Sequence, residues 1–156
     1  MTKERLKDYA VKVTQANRVE LIVIMYDVAI EYIEDSIACY GKNTEEFRLG
    51  IKRARSIISE LSASLDMQYE ISGQLLQVYM FLNRALLQCD IRNEAVILPR
   101  LTAMLENLKS SFVELSKTVE EAPVMENTQQ VYAGLTYSKS SLNENMYSDS
   151  NRGFTV

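Results

Sequence analysis

TQANRVELIVIMYDVAIEYIEDSI, residues 14–37, decides the fold. Leu21, Met25, Val28 and Tyr32 recur at steps of four, three and four, which puts them on one stripe of an α-helix. Ile22, Tyr26, Ala29 and Ile33 form a second stripe about 100° round the same helix. A helix over a single small core needs one apolar face with polar residues opposite. Two such faces imply burial from two sides, by the rest of the chain and by something beyond it.

Outward from this stretch, the chain reads as a succession of helices. Before it, MTKERLKDYAVKVTQAN carries Leu6, Tyr9 and Val13 at helical spacing. A helix this short is marginal in water and must dock to be ordered. Thr14, or Asn17 with Glu20 three residues on, caps the long helix; the second pair has the spacing of a capping box. Gly41, suited to a left-handed position, ends the helix near Tyr40. A second helix spans about 44–65 on a seam of Phe47, Ile51, Ala54, Ile58, Leu61 and Leu65. Lys52, Arg53 and Arg55 fall off this seam as a solvated basic face. The connection Asp66-Met67-Gln68 is short, so the next helix returns antiparallel. Its seam is Ile71, Leu75, Val78, Leu82, Ala85 and Cys89, with a further stripe through Leu76, Tyr79 or Met80, Asn83, and Leu86 or Leu87. Asp90 to Asn93 breaks the pattern, and a fourth helix carries Leu98, Leu101, Leu105, Leu108, Phe112 and Leu115, starting or kinking at Pro99. The reading is an all-α, antiparallel up-down-up-down four-helix bundle over residues 1–117, with a lead segment at 1–17 and the four helices at 18–117.

Residues 118–156 differ in character. They are rich in Ser, Asn, Thr and Gln and hold five acidic against two basic residues, a net charge of −3. That composition predicts a flexible polar tail. Tyr132, Leu135, Tyr137, Leu142, Met146, Tyr147 and Phe154 leave open that it docks on the bundle or on a partner.

Composition removes whole classes of function. The net charge of −4 argues against a nucleic-acid binder that neutralises phosphates. No apolar run approaches the ~20 residues needed to span a bilayer, and the opening residues lack the apolar core of a signal peptide, so a cytoplasmic protein is expected. There is no histidine, which excludes His-based bases, triads, His-containing metal sites and a ferritin-like di-iron bundle. Neither a GxGxxG nor a Walker loop is present, and no cofactor is expected. Cys39 and Cys89 make no metal or redox spacing and read as packing residues. Glu34–Asp35 and Glu45–Glu46 lie near helix boundaries as solvated or dipole-complementing charges. No nucleophile–base pair is visible, and the chain is not read as an enzyme.

A family resemblance completes this picture. Tyr9-x-x-x-Val13-Thr14-x-Ala16-x-x-x-Glu20-Leu21-Ile22-x-x-Met25-Tyr26-Asp27-x-Ala29-Ile30 resembles the opening of the FliS-type flagellin export chaperones. The likeness continues through Ala54-x-x-Ile57-Ile58-x-x-Leu61-x-x-Ser64-Leu65-Asp66 and Leu76-x-x-Tyr79-x-x-x-x-Arg84-x-Leu86. It ends in the helix Leu105 to Leu115, where Phe112 replaces the family's usual tryptophan. Asn17-Arg18 stands where Ser-Pro is usual, and Val28 where Gly is common. The resemblance implies a non-catalytic chaperone. It would bind the disordered C-terminal segment of flagellin, prevent its polymerisation in the cytoplasm and assist its delivery to the flagellar export apparatus. The alternative is a helical adaptor that binds another cytoplasmic partner through the same grooves. In either case Met25, Tyr26, Ile30, Leu76, Tyr79, Met80, Asn83 and Leu87 are the candidate groove residues, with plain core packing as the competing role for each. The resemblance also implies that the lead segment, through Leu6, Tyr9 and Val13, acts as a lid over an apolar groove.

Overall fold

The computed structural model describes residues 3–118 and Val124. Five helices follow in order: α1 (Lys3–Gln15), α2 (Arg18–Cys39), α3 (Thr44–Ala63), α4 (Glu70–Arg92) and α5 (Leu98–Ser116). Among the described residues there is no strand.

Local chemistry sets most boundaries. Asn17 caps α2 with a complete capping box: its side chain accepts from the Glu20 amide at 2.9 Å, and Glu20 accepts from the Asn17 amide at 2.9 Å. Gly41, at φ +73°, supplies the left-handed residue beyond the end of α2. Asn43 caps α3 by accepting from the amides of Glu45 and Glu46. Pro99 lies in the first turn of α5, where its missing N–H removes no intrahelical bond. Two boundaries differ from the sequence reading. The second long helix ends at Ala63 rather than near Leu65. The third continues through Asp90 and Ile91 to Arg92, because Asn93 takes the left-handed conformation (φ 52°) and ends the helix there.

The core explains the two stripes of α2. Tyr26, Ala29 and Ile33 are fully enclosed, while Leu21, Met25, Val28 and Tyr32 are half-buried. α2 packs closely against both α3 and α5, and α1 lies on it as well, so much of its surplus apolar surface serves neighbours within the chain. Between α2 and α3, Tyr40 meets Phe47, Ser36 meets Gly50, and Tyr32 lies under Arg53, pairs that ascend one helix as they descend the other. At Gly50 the helices come so close that an added Cβ would lie 2.1 Å from Ser36 Oγ. α3 packs closely on α4. By contrast, α4 and α5 barely meet. The seam between them stays open.

Candidate functional site

The open seam forms an apolar groove of about 480 Å³. Ile71 and Leu75 of α4 face Leu108, Phe112 and Leu115 of α5 across it, and Ile22 of α2 and the α3–α4 connection at Leu65–Tyr69 contribute to its lining. Much of this surface remains in water: Ile71 is 58% exposed and Leu115 46% exposed. In a closed bundle these seam side chains would cover one another. Here an apolar gap remains, lined by α4 from Ile71 to Tyr79 and by α5 from Leu108 to Leu115.

Three aromatic rings form a cluster at this groove. Tyr26 lies 6.4 Å from Tyr79 and 5.6 Å from Phe112 between ring centroids, both at tilted angles. The Tyr26 and Tyr79 hydroxyls hydrogen-bond to each other. Tyr79 and Phe112 line the groove, while Tyr26 is enclosed behind them. Burial pushes both phenols above their ordinary pKa; their shared hydrogen bond pushes Tyr26 further and draws Tyr79 back.

The candidate residues divide among several environments. Tyr79 lines the groove and Tyr26 backs it. Ile30 is buried in the core, and Met25 packs half-buried against it. Leu76, Met80, Asn83 and Leu87 follow one another at steps of four, three and four on another side of α4, where the Asn83 amide donates to Ser59 Oγ of α3 at 3.2 Å. Asn83 Oδ1 is buried there without a partner. Met80 is exposed beside Gln77, Phe81 and Arg84, which together frame a shallow depression of about 230 Å³.

Other groove residues escaped the sequence reading of the site. Ile71, Leu75, Leu108, Phe112 and Leu115 read in the sequence as seam residues of their helices, yet they line the groove. Periodicity places such residues on one face but does not say whether a facing helix covers them. Ile22 shares the stripe of Tyr26 but is not singled out by periodicity, for the same reason.

The lead segment is a helix held by polar contacts. Tyr9 donates to Glu31 Oε1 at 2.8 Å, Arg5 pairs with Glu31 Oε2 at 3.3 Å, and Lys12 lies 5.2 Å over the Tyr9 ring. Burial, followed by the bond to Glu31, pushes the Tyr9 phenol upward. Tyr9 and Val13 are half-buried and Leu6 is exposed. None of the three lines the α4–α5 groove. α1 instead borders a mixed polar cleft of about 440 Å³ with Val23, Ile24 and Asp27 of α2. Beyond α5, the Val124 amide donates to the Ala16 carbonyl at 3.0 Å, at the α1–α2 junction.

Within α5, Lys109 bridges Asp27 of α2 at 3.0 Å and Glu106 at 2.6 Å. Burial opposes its charge, but these two carboxylates outweigh that and raise its pKa. Cys39 and Cys89 are free thiols. Among the described residues no cluster of three or more His, Cys, Asp or Glu is placed to hold a metal, and no helix is long and apolar enough to cross a membrane. The apolar tail residues Tyr132 to Phe154 lie outside the described residues.

Compared with known proteins, residues 2–119 match the model of the family described as flagellar protein FliS. A comparison with curated proteins found no match.

Proposed function

The chain belongs to the FliS family of flagellar proteins, and from that premise we propose a specific role for this member. It is a cytoplasmic export chaperone that binds the disordered C-terminal helical segment of flagellin, keeps it from polymerising and assists its delivery to the flagellar export apparatus. The observation that carries this reading is the open α4–α5 seam, with Ile71, Leu75, Phe112 and Leu115 lining an apolar groove. A segment that folds as it binds must recover its ordering entropy, and such interfaces typically bury ~1,000–3,000 Å². The groove supplies part of that area.

The rest is assigned as follows. The bundle is up-down-up-down, a reading supported by the opposed residue pairs of α2 and α3. Tyr26 and Tyr79 form the groove's base, with Met25 and Ile30 packed behind it on α2. Leu76, Met80, Asn83 and Leu87 offer a second contact stripe, with Met80 its exposed member. α1 acts as a lid on α2, competing intramolecularly with a guest helix through the half-buried Tyr9 and Val13, with Leu6 at its outer edge.

Co-expression with the C-terminal segment of the host's flagellin tests the reading. A 1:1 soluble complex with added helical signal is expected. A folded bundle that captures no flagellin sinks it in favour of an adaptor for another partner. Removal of residues 1–13 is expected to increase binding of a hydrophobic dye; an unchanged signal with an unchanged monomer removes the lid from the scheme.

A further inference from the structure

α1 is rooted at one end and tethered at the other. At its C-terminal end Thr14, Ala16 and Asn17 are buried, and the Val124 amide donates to the Ala16 carbonyl. Toward the N-terminus the hold is polar and converges on Glu31 of α2. Glu31 accepts from the Tyr9 hydroxyl on Oε1 and pairs with Arg5 on Oε2. Among residues 4–13, only Tyr9 and Val13 are better than exposed, so little apolar contact backs these bonds.

The two helices carry opposite charge. α1 holds four basic against two acidic residues, a net charge of +2, and α2 five acidic against one basic, a net charge of −4. Asp27, Glu31 and Asp35 follow at steps of four along one side of α2. Asp27 is met by Lys109 of α5, whereas both partners of Glu31 lie on α1. The Glu31 side chain is only 18% exposed. Departure of α1 would return that carboxylate to water, and any helix that took its place would cover it again.

We propose that this face of α2 receives a basic helix, and that the guest segment displacing α1 brings an arginine or lysine to Glu31 in the place of Arg5. This rests on the chaperone reading with α1 as its lid. A wholly apolar guest face would cover the carboxylate without giving it a partner, which is costly. A guest carboxylate would meet Asp27, Glu31 and Asp35 as like charges. A guest cation keeps Glu31 paired in both states, so lid and guest exchange without a stranded charge. The buried root at Thr14 to Asn17 stays in place while the front of α1 swings clear.

A synthetic peptide of the flagellin C-terminal segment, titrated into the full-length chain and into its Glu31→Gln variant, tests this. Glutamine still accepts from Tyr9 but removes the charge. Each Arg and Lys of the peptide is replaced in turn by Gln. One replacement should weaken binding to the parent at least about fivefold, and change binding to Glu31→Gln by no more than about twofold. Any loosening of α1 by Glu31→Gln acts on both peptides alike and cancels in this comparison. Hydrogen exchange on the same samples should show the amides of residues 4–13 opening faster once the parent binds the peptide, with those of α3 no faster. If Glu31→Gln folds poorly, its α3 amides reveal it, and the peptide scan and the exchange on the parent still decide. A scan in which no Arg or Lys matters to the parent overturns the proposal. So does a cation whose replacement costs as much against folded Glu31→Gln, or an α1 that stays protected in the complex. If the parent binds no flagellin peptide at all, it is the chaperone reading that fails.

Discussion

Replacing Ile71 separates groove binding from folding, because this side chain lines the groove while most of it remains in water. Burying a whole isoleucine side chain contributes about 1.5–3 kcal/mol. With 58% of the residue still exposed, the share left for a guest to cover is about 1–2 kcal/mol. Ile71→Ala should therefore weaken flagellin binding roughly 5- to 30-fold. Ile71→Asp would bury an unpaired carboxylate under the guest and should weaken binding at least about a hundredfold. Neither change removes core packing of comparable size, so the melting temperature should shift by no more than about 3 °C. Calorimetric titration with the flagellin C-terminal peptide, beside thermal melts followed by circular dichroism, reads both quantities. Ile71→Asp protein that melts normally and binds as tightly as the parent would refute the assignment of the guest to the α4–α5 groove.

Other parts of the structure give independent tests. Gly50→Ala places a Cβ 2.1 Å from Ser36 Oγ and 2.8 Å from the Tyr32 carbonyl; the overpacking should exceed the ~1 kcal/mol of helix propensity gained and destabilise the protein by about 1–2 kcal/mol in urea unfolding. Adding Ser36→Ala should recover part of this loss, and equal stability of Gly50→Ala and the parent would count against the close approach. Asn17→Ala removes half of the α2 capping box and should cost about 1 kcal/mol, seen as a melting temperature lower by about 4 °C; no change would mean that the cap is idle. Stability should fall at alkaline pH. Folding raises the pKa of Tyr9, Tyr26, Tyr79 and Cys89, favouring their neutral forms, and raises that of Lys109, favouring its charged form. Each contribution is complete below the group's unfolded pKa, 9.0 for the thiol, 10.0 for the phenols and 10.5 for the lysine, and declines as pH rises above it. Melts between about pH 8 and about pH 11 should show this fall, with a shallower slope in Y26F/Y79F; a level profile contradicts it.

Much of the fold was readable because its signals are local. Asn17 and Glu20 announce the start of α2, Gly41 its end and Pro99 the first turn of α5, each through backbone chemistry that acts within a few residues. The end of α4 is less legible: polar Asp90 reads as a break, although a helix tolerates it and Asn93 carries the actual stop. The candidate site was harder to read. A step of four and three puts Leu75 or Phe112 on a seam, but the width of that seam depends on how α4 and α5 lie relative to each other, a property of all the helices together. Tyr26 makes the same point from the other side. Its stripe marked it as apolar and accessible to a guest, yet α3 and α5 around α2 leave it 0% exposed. An aspartate there would strike the fold before it reported on binding.

Under the proposed function, the gap between α4 and α5 makes the empty chaperone an unfinished protein, and its cargo the piece that completes it. A guest that binds only the folded state adds RT ln(1 + [L]/Kd) to stability, about 2.7 kcal/mol at a hundredfold excess over Kd. The same linkage runs in reverse at delivery. On that proposal, whatever takes the flagellin segment away must also undo the extra firmness its presence would confer, leaving a looser bundle whose uncovered seam favours the next cargo molecule.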